Sequence, residues 1–243
     1  MQQGKYTVIS NDSIALRTYR MRLQGDTSSL RRGGQFADVA VEGYFLRRPL
    51  AVTEWSAGGF SLIYKLVGKG TDALSKVKTG ETLDILLGLG NGFDASRTAD
   101  RALVVCGGLG ASPAFSLVKE LLSLGKEVDL VLGFNTAAEI ILADEYRELG
   151  LEPRIVTMDG SCGSKGLVTD VIGDARYDYF YTCGPKVMMK AVCGMLSGSG
   201  ELSLEERMGC GGGICYGCTC KTQDGPKRIC KDGPVFKKEE VIW

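Results

Sequence analysis

Five of the nine cysteines in this chain fall between Cys210 and Cys230. The run reads Cys210-Gly-Gly-Gly-Ile-Cys215-Tyr-Gly-Cys218, with Cys230 further on. As spacing this is C-x4-C-x2-C followed by a distant Cys, the plant-type pattern for a 2Fe-2S cluster. Such a cluster needs four thiolates to converge on two irons from one tight loop. Gly211, Gly212, Gly213 and Gly217 let the loop wrap closely and take positive φ. Free N–H groups in a loop of this kind donate to cluster sulfurs. A zinc knuckle is the first alternative, but zinc favours C-x2-C pairs at both ends and the second pair is missing. Free buried thiols are the other. Cys220 is a spare, which the C-x2-C spacing places behind Cys218 as a ligand. The scattered Cys106, Cys162, Cys183 and Cys193 read as core residues.

A second chemistry-bearing stretch is Cys106-Gly107-Gly108-Leu109-Gly110-Ala111-Ser112-Pro113, between a buried-strand run and a helical pattern. Glycines there let backbone approach a pyrophosphate, and a helix N-terminus attracts its charge. The strict G-x-G-x-x-G/A pattern fails at Pro113, and a tight turn without a ligand is the alternative. Thr182-Cys183-Gly184-Pro185 forms a like turn. Both are expected at the carboxyl edge of one sheet, where α/β proteins bind ligands. Cys183 then lies near a nicotinamide, or simply fills a crowded turn. Nearer the N-terminus, Arg47-Arg48-Pro49-Leu50-Ala51 offers paired guanidinium groups for a pyrophosphate, or solvated surface charge. Gly68-Lys69-Gly70-Thr71 reads as a phosphate-cradling turn opening a short helix, or as an ordinary hairpin loop.

The elements that must position these groups fall into three textures. Residues 1–97 show short alternating runs broken by Gly, as in Lys5–Ile9, Ala15–Leu23, Phe36–Val41, Phe60–Val67 and Thr82–Leu87, which predicts an antiparallel barrel or sandwich. Residues 98–200 alternate strand and helix. Strands are expected at Arg101–Cys106, Glu127–Leu132, Arg154–Met158 and Asp178–Thr182. Ser112 is expected to cap one helix, a Thr136/Glu139 capping box to open a second running to Gly150, and Pro185 to open a third. That alternation predicts a mostly parallel, doubly wound sheet. Residues 201–243 are Gly- and Cys-rich, too poor in apolar side chains for a core of their own, and Ser197–Gly200 is the best linker.

Composition narrows the chemistry. There is no histidine, which excludes a His-based triad, a His zinc site and a Rieske cluster. No side chain is read as catalytic, because in hydride and electron transfer the cofactor carries the reaction. Lys plus Arg equal Asp plus Glu at 29 each, so charge gives no argument for nucleic acid or an anionic membrane. Met1–Ser10 does not read as a secretory signal, and the uncharged stretch Ala102–Val118 is too rich in Gly to read as a membrane span. A cytoplasmic protein is expected.

Taken in order, Arg48-Pro49-Leu50-Ala51, Ile63-Tyr64-Lys65, Gly70-Thr71, Gly107-Gly108-Leu109-Gly110, Cys183-Gly184-Pro185 and the cysteine run resemble the ferredoxin-reductase-like proteins. Glu206-Arg207-Met208-Gly209-Cys210 and Asp232-Gly233-Pro234-Val235-Phe236 are similar to the electron-transfer subunits of type B, NAD-dependent dihydroorotate dehydrogenases. The resemblance implies an FAD-binding barrel, then an NAD domain, then a 2Fe-2S segment. It implies FAD contacts at Arg48, Pro49, Leu50, Ala51, Ile63, Tyr64, Lys65, Gly70 and Thr71. NAD would meet Gly107, Gly108, Gly110, Cys183, Gly184 and Pro185, and the cluster Cys210, Cys215, Cys218 and Cys230. The family usually has Ser or Thr where Ala51 stands and often Arg where Lys65 stands. An FMN-containing catalytic subunit, in a heterotetramer of two of each chain, would oxidise dihydroorotate in pyrimidine biosynthesis. The nearest rival is the small subunit of an NADH-dependent ferredoxin:NADP oxidoreductase, which typically has Asp where Cys210 stands.

Overall fold

The computed structural model describes residues 1–173 and 176–243. Six strands close an antiparallel barrel: β1 (Gln2–Ala15), β2 (Thr18–Gln24), β3 (Phe36–Val39), β4 (Arg48–Ser56), β5 (Gly59–Lys65) and, after helix α1 (Lys69–Leu74), β6 (Thr82–Leu89). Their order is β1-β2-β5-β4-β3-β6. Alternation sends Tyr6, Val8, Met21, Leu23, Leu62, Tyr64, Ile85 and Leu87 into one barrel core. The expected barrel or sandwich is thus a closed barrel, which leaves no sheet edge open.

The next part contains β7 (Arg101–Gly107), α2 (Ala111–Ser123), β8 (Glu127–Phe134), α3 (Ala143–Glu148), β9 (Arg154–Thr157), β10 (Ser164–Lys165), α4 (Thr169–Ile172), β11 (Tyr179–Cys183), α5 (Lys186–Met195) and β12 (Gly200–Ser203). The chain ends with β13 (Thr219–Thr222), β14 (Gly225–Arg228), α6 (Ile229–Asp232) and β15 (Val235–Lys237). The main sheet runs β10-β9-β8-β7-β11-β12-β15. It is parallel except that β15 lies antiparallel to β12. Buried side chains of α2 and α3 pack on one face, and those of α4 and α5 on the other. The doubly wound expectation therefore holds, and strand order reverses between β7 and β11.

Three local expectations change. Ser112 does not cap α2, which already starts at Ala111. Its hydroxyl is shared instead with Thr53 of the barrel at 2.7 Å. Thr136 and Glu139 flank a single helical turn rather than a helix to Gly150, and the following helix is only Ala143–Glu148. The Glu139 carboxylate is taken by Lys65 Nζ at 2.8 Å, across the domain boundary. The Ser197–Gly200 stretch is no free tether, because Ser199 O accepts from Phe180 N at 3.2 Å and Gly200 opens β12. The C-terminal segment borrows its core. Cys218, Ile229, Cys230 and Phe236 pack with Leu103, Val105 and Phe180 of the sheet and Phe36 and Leu89 of the barrel.

Strand β12 also buries a carboxyl. Glu201 is 6% exposed, and its Oε2 accepts from Asp94 N at 2.9 Å. Burial pushes Glu201 from an ordinary value of 4.5 up to about 7, against the pull of that hydrogen bond. Between those values the folded protein keeps a proton that the unfolded chain releases, so stability falls as pH rises through the window. Glu201→Gln retains an acceptor for Asp94 N. It is expected to raise stability at pH 8 by up to about 3 kcal/mol, shrinking below about 1 kcal/mol at pH 5. Denaturant unfolding at both pH values checks this, and an equal effect at the two would contradict it.

Candidate functional site

The cysteine loop sits in a bed of backbone N–H groups. Ile214 N and Cys215 N point at Cys210 Sγ at 3.2 and 3.4 Å, Gly217 N at Cys215 Sγ at 3.5 Å, and Cys230 N at Cys218 Sγ at 3.4 Å. Burial works to raise the Cys210 thiol, but N–H groups of Cys215, Gly212 and Ile214 hold it down to about 6. Burial and then the neighbouring Cys218 push Cys230 up to about 12. The four thiols lie near one another, with Cys215 beside Cys210, and Cys218 and then Cys210 acting on Cys230. Among the described residues no three His, Cys, Asp or Glu side chains converge on a single-ion site. Four thiols gathered in one segment with N–H donors fit a 2Fe-2S group, which takes four thiolates. Cys220 lies on β13.

Two features fix the loop against its surroundings. Gly211 has φ +59°, and a Cβ there would fall 2.5 Å from Asp38 Oδ2. Arg228 Nη1 donates to Gly213 O at 2.8 Å, its guanidinium lies 4.9 Å from the Tyr216 ring centroid, and Asp232 holds its other nitrogens. Cys218 and Cys230 are buried, while Cys215 is exposed between Ile214 (83% exposed) and Tyr216 (64%). Neither Arg228 nor Asp38 carries a spacing signal in the sequence.

The barrel wall gathers the second set of residues. A Cβ on Gly70 would collide with the Arg48 guanidinium, so this cation lies against the start of α1. Thr71 Oγ1 closes the turn, accepting from Val67 N at 3.0 Å and Gly68 N at 3.2 Å. Arg48, Gly70 and Thr71 are thus brought together at the start of α1, where Arg48 also donates to Leu46 O and lies over the Tyr44 ring. Along β4 and β5 the alternation divides the expected contacts. Ile63 packs toward the α/β domain and Lys65 bonds Glu139 there. Tyr64 is buried in the barrel with its hydroxyl on Asn11 Oδ1 at 2.7 Å, and Leu50 packs against the same core. Pro49 and Ala51 therefore share the outer wall with Ile63 and Lys65, and Ala51 brings no hydroxyl to it.

The two glycine turns meet at the strand-order reversal. Cys106 of β7 and Cys183 of β11 are register partners. A Cβ on Gly110 would collide with Cys183 O, so only glycine lets the turns pack this closely. Gly107, Gly108, Gly110, Cys183, Gly184 and Pro185 thus come together at the carboxyl edge of β7 and β11. Burial, and then the nearby Glu205 carboxylate, push the Cys183 thiol up to about 12. It is a neutral thiol at physiological pH.

A family model described as the iron–sulfur cluster binding domain of dihydroorotate dehydrogenase B matches residues 205–242. One described as an oxidoreductase NAD-binding domain matches residues 104–194. The dihydroorotate dehydrogenase B (NAD(+)) electron transfer subunit of Geobacillus sp. (strain WCH70) is 43% identical over 256 residues, which cover 100% of this chain and 99% of the relative. The chain belongs to the dihydroorotate dehydrogenase B electron transfer subunits. The Fusobacterium nucleatum member of this family is 38% identical over 97% of this chain and 96% of its own. Among solved structures, that of an NADH-dependent reduced ferredoxin-NADP oxidoreductase aligns with a TM-score of 0.89 at 30% identity, over 98% of this chain and 90% of the other. Phthalate dioxygenase reductase shares the fold, with a TM-score of 0.69 at 16% identity over 91% of this chain and 87% of the other. The chain is accordingly an oxidoreductase electron transfer subunit with NAD-binding and iron–sulfur-binding regions.

Proposed function

We propose that this chain passes electrons between an FMN-containing, dihydroorotate-oxidising partner subunit and NAD+ in pyrimidine biosynthesis, in the cytoplasm, as a heterotetramer of two of each chain. When bound, FAD and a 2Fe-2S cluster supply the one- and two-electron chemistry that links partner to nucleotide. The register of β3 carries the reading. Phe36 pairs with Ala51 and Asp38 with Pro49, while Asp38 abuts Gly211 of the cysteine loop. The wall assigned to the flavin and the loop assigned to the cluster are thus one strand apart. Arg48, Gly70 and Thr71 hold the FAD phosphates; Pro49, Ala51, Ile63 and Lys65 present side chains to it, and Leu50 and Tyr64 present backbone. Cys210, Cys215, Cys218 and Cys230 hold the cluster, within segments 1–97, 98–200 and 201–243 for flavin, nucleotide and cluster. The exposed Ile214, Cys215 and Tyr216 form the face the partner covers. A visible spectrum of the purified chain tests the cofactor set: flavin bands with a broad iron–sulfur shoulder are expected, and a colourless protein would contradict it. The ferredoxin:NADP oxidoreductase reading has a structural likeness behind it; Cys210 and the curated relatives favour dihydroorotate.

Nucleotide choice follows from the same edge. From Gly133 through Tyr146, where β8 ends, there is no Lys or Arg to meet a 2′-phosphate. Lys65 reaches this edge from the barrel, but its charge is engaged by Glu139. NADH is expected to exceed NADPH by at least about tenfold in kcat/KM, the effect of about 1.4 kcal/mol. Steady-state dye reduction with each nucleotide measures this, and parity would contradict it.

A further inference from the structure

The outer wall of β3 holds a carboxylate that no hydrogen bond explains. Asp38 is 3% exposed, and its Oδ1 is buried with no hydrogen-bond partner among the described residues. An unbonded polar group in such a place is costly. Arg47 lies close by but is committed elsewhere, donating to Asp84 O at 2.9 Å and Asp84 Oδ1 at 2.6 Å. Burial raises the Asp38 carboxyl to about 6, with Arg47 and Arg48 pulling the other way, so it is ionised at pH 8. Its Oδ2 faces Gly211, the residue after Cys210, and its register partner on β4 is Pro49. The charge therefore stands between the wall assigned to FAD and the loop assigned to the cluster.

We propose that Asp38 is a positioning residue for electron passage: its carboxylate seats the cysteine loop at Gly211 and sets a negative charge beside the cluster, making it harder to reduce. The inference rests on the cluster assignment above. Its physical basis is that net charge and hydrogen bonding around an iron–sulfur cluster set its potential. Arg47 and Arg48 compensate the charge only in part, because neither bonds the carboxylate oxygens.

The test uses the full chain with its cofactors bound. Iron and sulfide are measured first, and the cluster midpoint is then read by EPR-monitored redox titration at pH 8. Asp38→Asn and Asp38→Ser remove the charge, and Asp38→Glu keeps it. The neutral variants are expected to shift the midpoint to more positive values, with Asp38→Glu staying near wild type. A wild-type midpoint in a neutral variant that keeps its iron would overturn the proposal, as would an equal shift in Asp38→Glu. Loss of iron from both neutral variants, with retention in Asp38→Glu, supports the seating role; loss from all three overturns the charge-specific claim. Absence of iron from the wild-type chain is a different failure, and it would overturn the cluster assignment itself.

Discussion

Serine at Cys210, Cys215, Cys218 or Cys230 is expected to strip most of the cluster iron, while serine at Cys220 leaves it in place. The expectation rests on two independent observations. The C-x4-C-x2-C spacing selects the first three and a distant fourth. The fold then gathers these thiols and aims backbone N–H groups at Cys210, Cys215 and Cys218. A change to a residue beyond the ligands typically costs 10–100-fold in metal affinity, so removal of a ligand is expected to cost more than about 100-fold. Cys220 falls outside that spacing, on β13, and its thiol is raised by burial. Iron and sulfide analysis of the five single variants checks this. Retained iron in Cys218→Ser together with loss in Cys220→Ser would reverse the assignment.

The second large effect concerns what the isolated chain cannot do. The only α/β unit among the described residues is the one in which the two glycine turns meet. No second unit is left to hold dihydroorotate and its own flavin. There is no histidine to act as a base at neutral pH, and the buried Cys183 thiol is held protonated. The chain alone is expected to pass electrons from NADH to artificial acceptors at ordinary enzymatic rates, on the order of 1–1000 per second, and to show no dihydroorotate oxidation above background. Dihydroorotate-dependent dye reduction by the purified chain alone would refute the division of labour.

Much of the arrangement was legible because local chemistry demanded it. Cysteine spacing points to a cluster loop, and glycines at strand-to-helix turns mark where backbone must pass closely, as Gly110 does against Cys183. Alternation in 1–97 was enough for a barrel or sandwich, and barrel closure came only with the pairing of β1 and β6. What the chain concealed were long-range commitments. Glu139 has the spacing of a capping box, yet it spends its carboxylate on Lys65 of the other domain. Ser112 has the composition of a cap, yet it bonds Thr53. Strand β15 is three residues long, and only its partner β12 makes it a strand. The inward turn of Leu50 and Tyr64 was available from period-two alternation once the strand bounds were known. Asp38 was not, since a lone acidic residue in an apolar run carries no sign of what will cover it.

The measurement that bears most directly on the central claim is NADH formation by the reassembled complex. This chain is co-purified with the catalytic partner proposed to carry FMN and oxidise dihydroorotate, and absorbance at the NADH band is followed after dihydroorotate and NAD+ are added. The same assay is run with Cys215→Ser, which keeps the barrel and sheet but lacks an exposed cluster ligand. Dihydroorotate-dependent NAD+ reduction by the wild-type complex, falling at least about 100-fold in the variant, is the expected result. Undiminished NADH formation in a complex shown to lack iron would contradict the account.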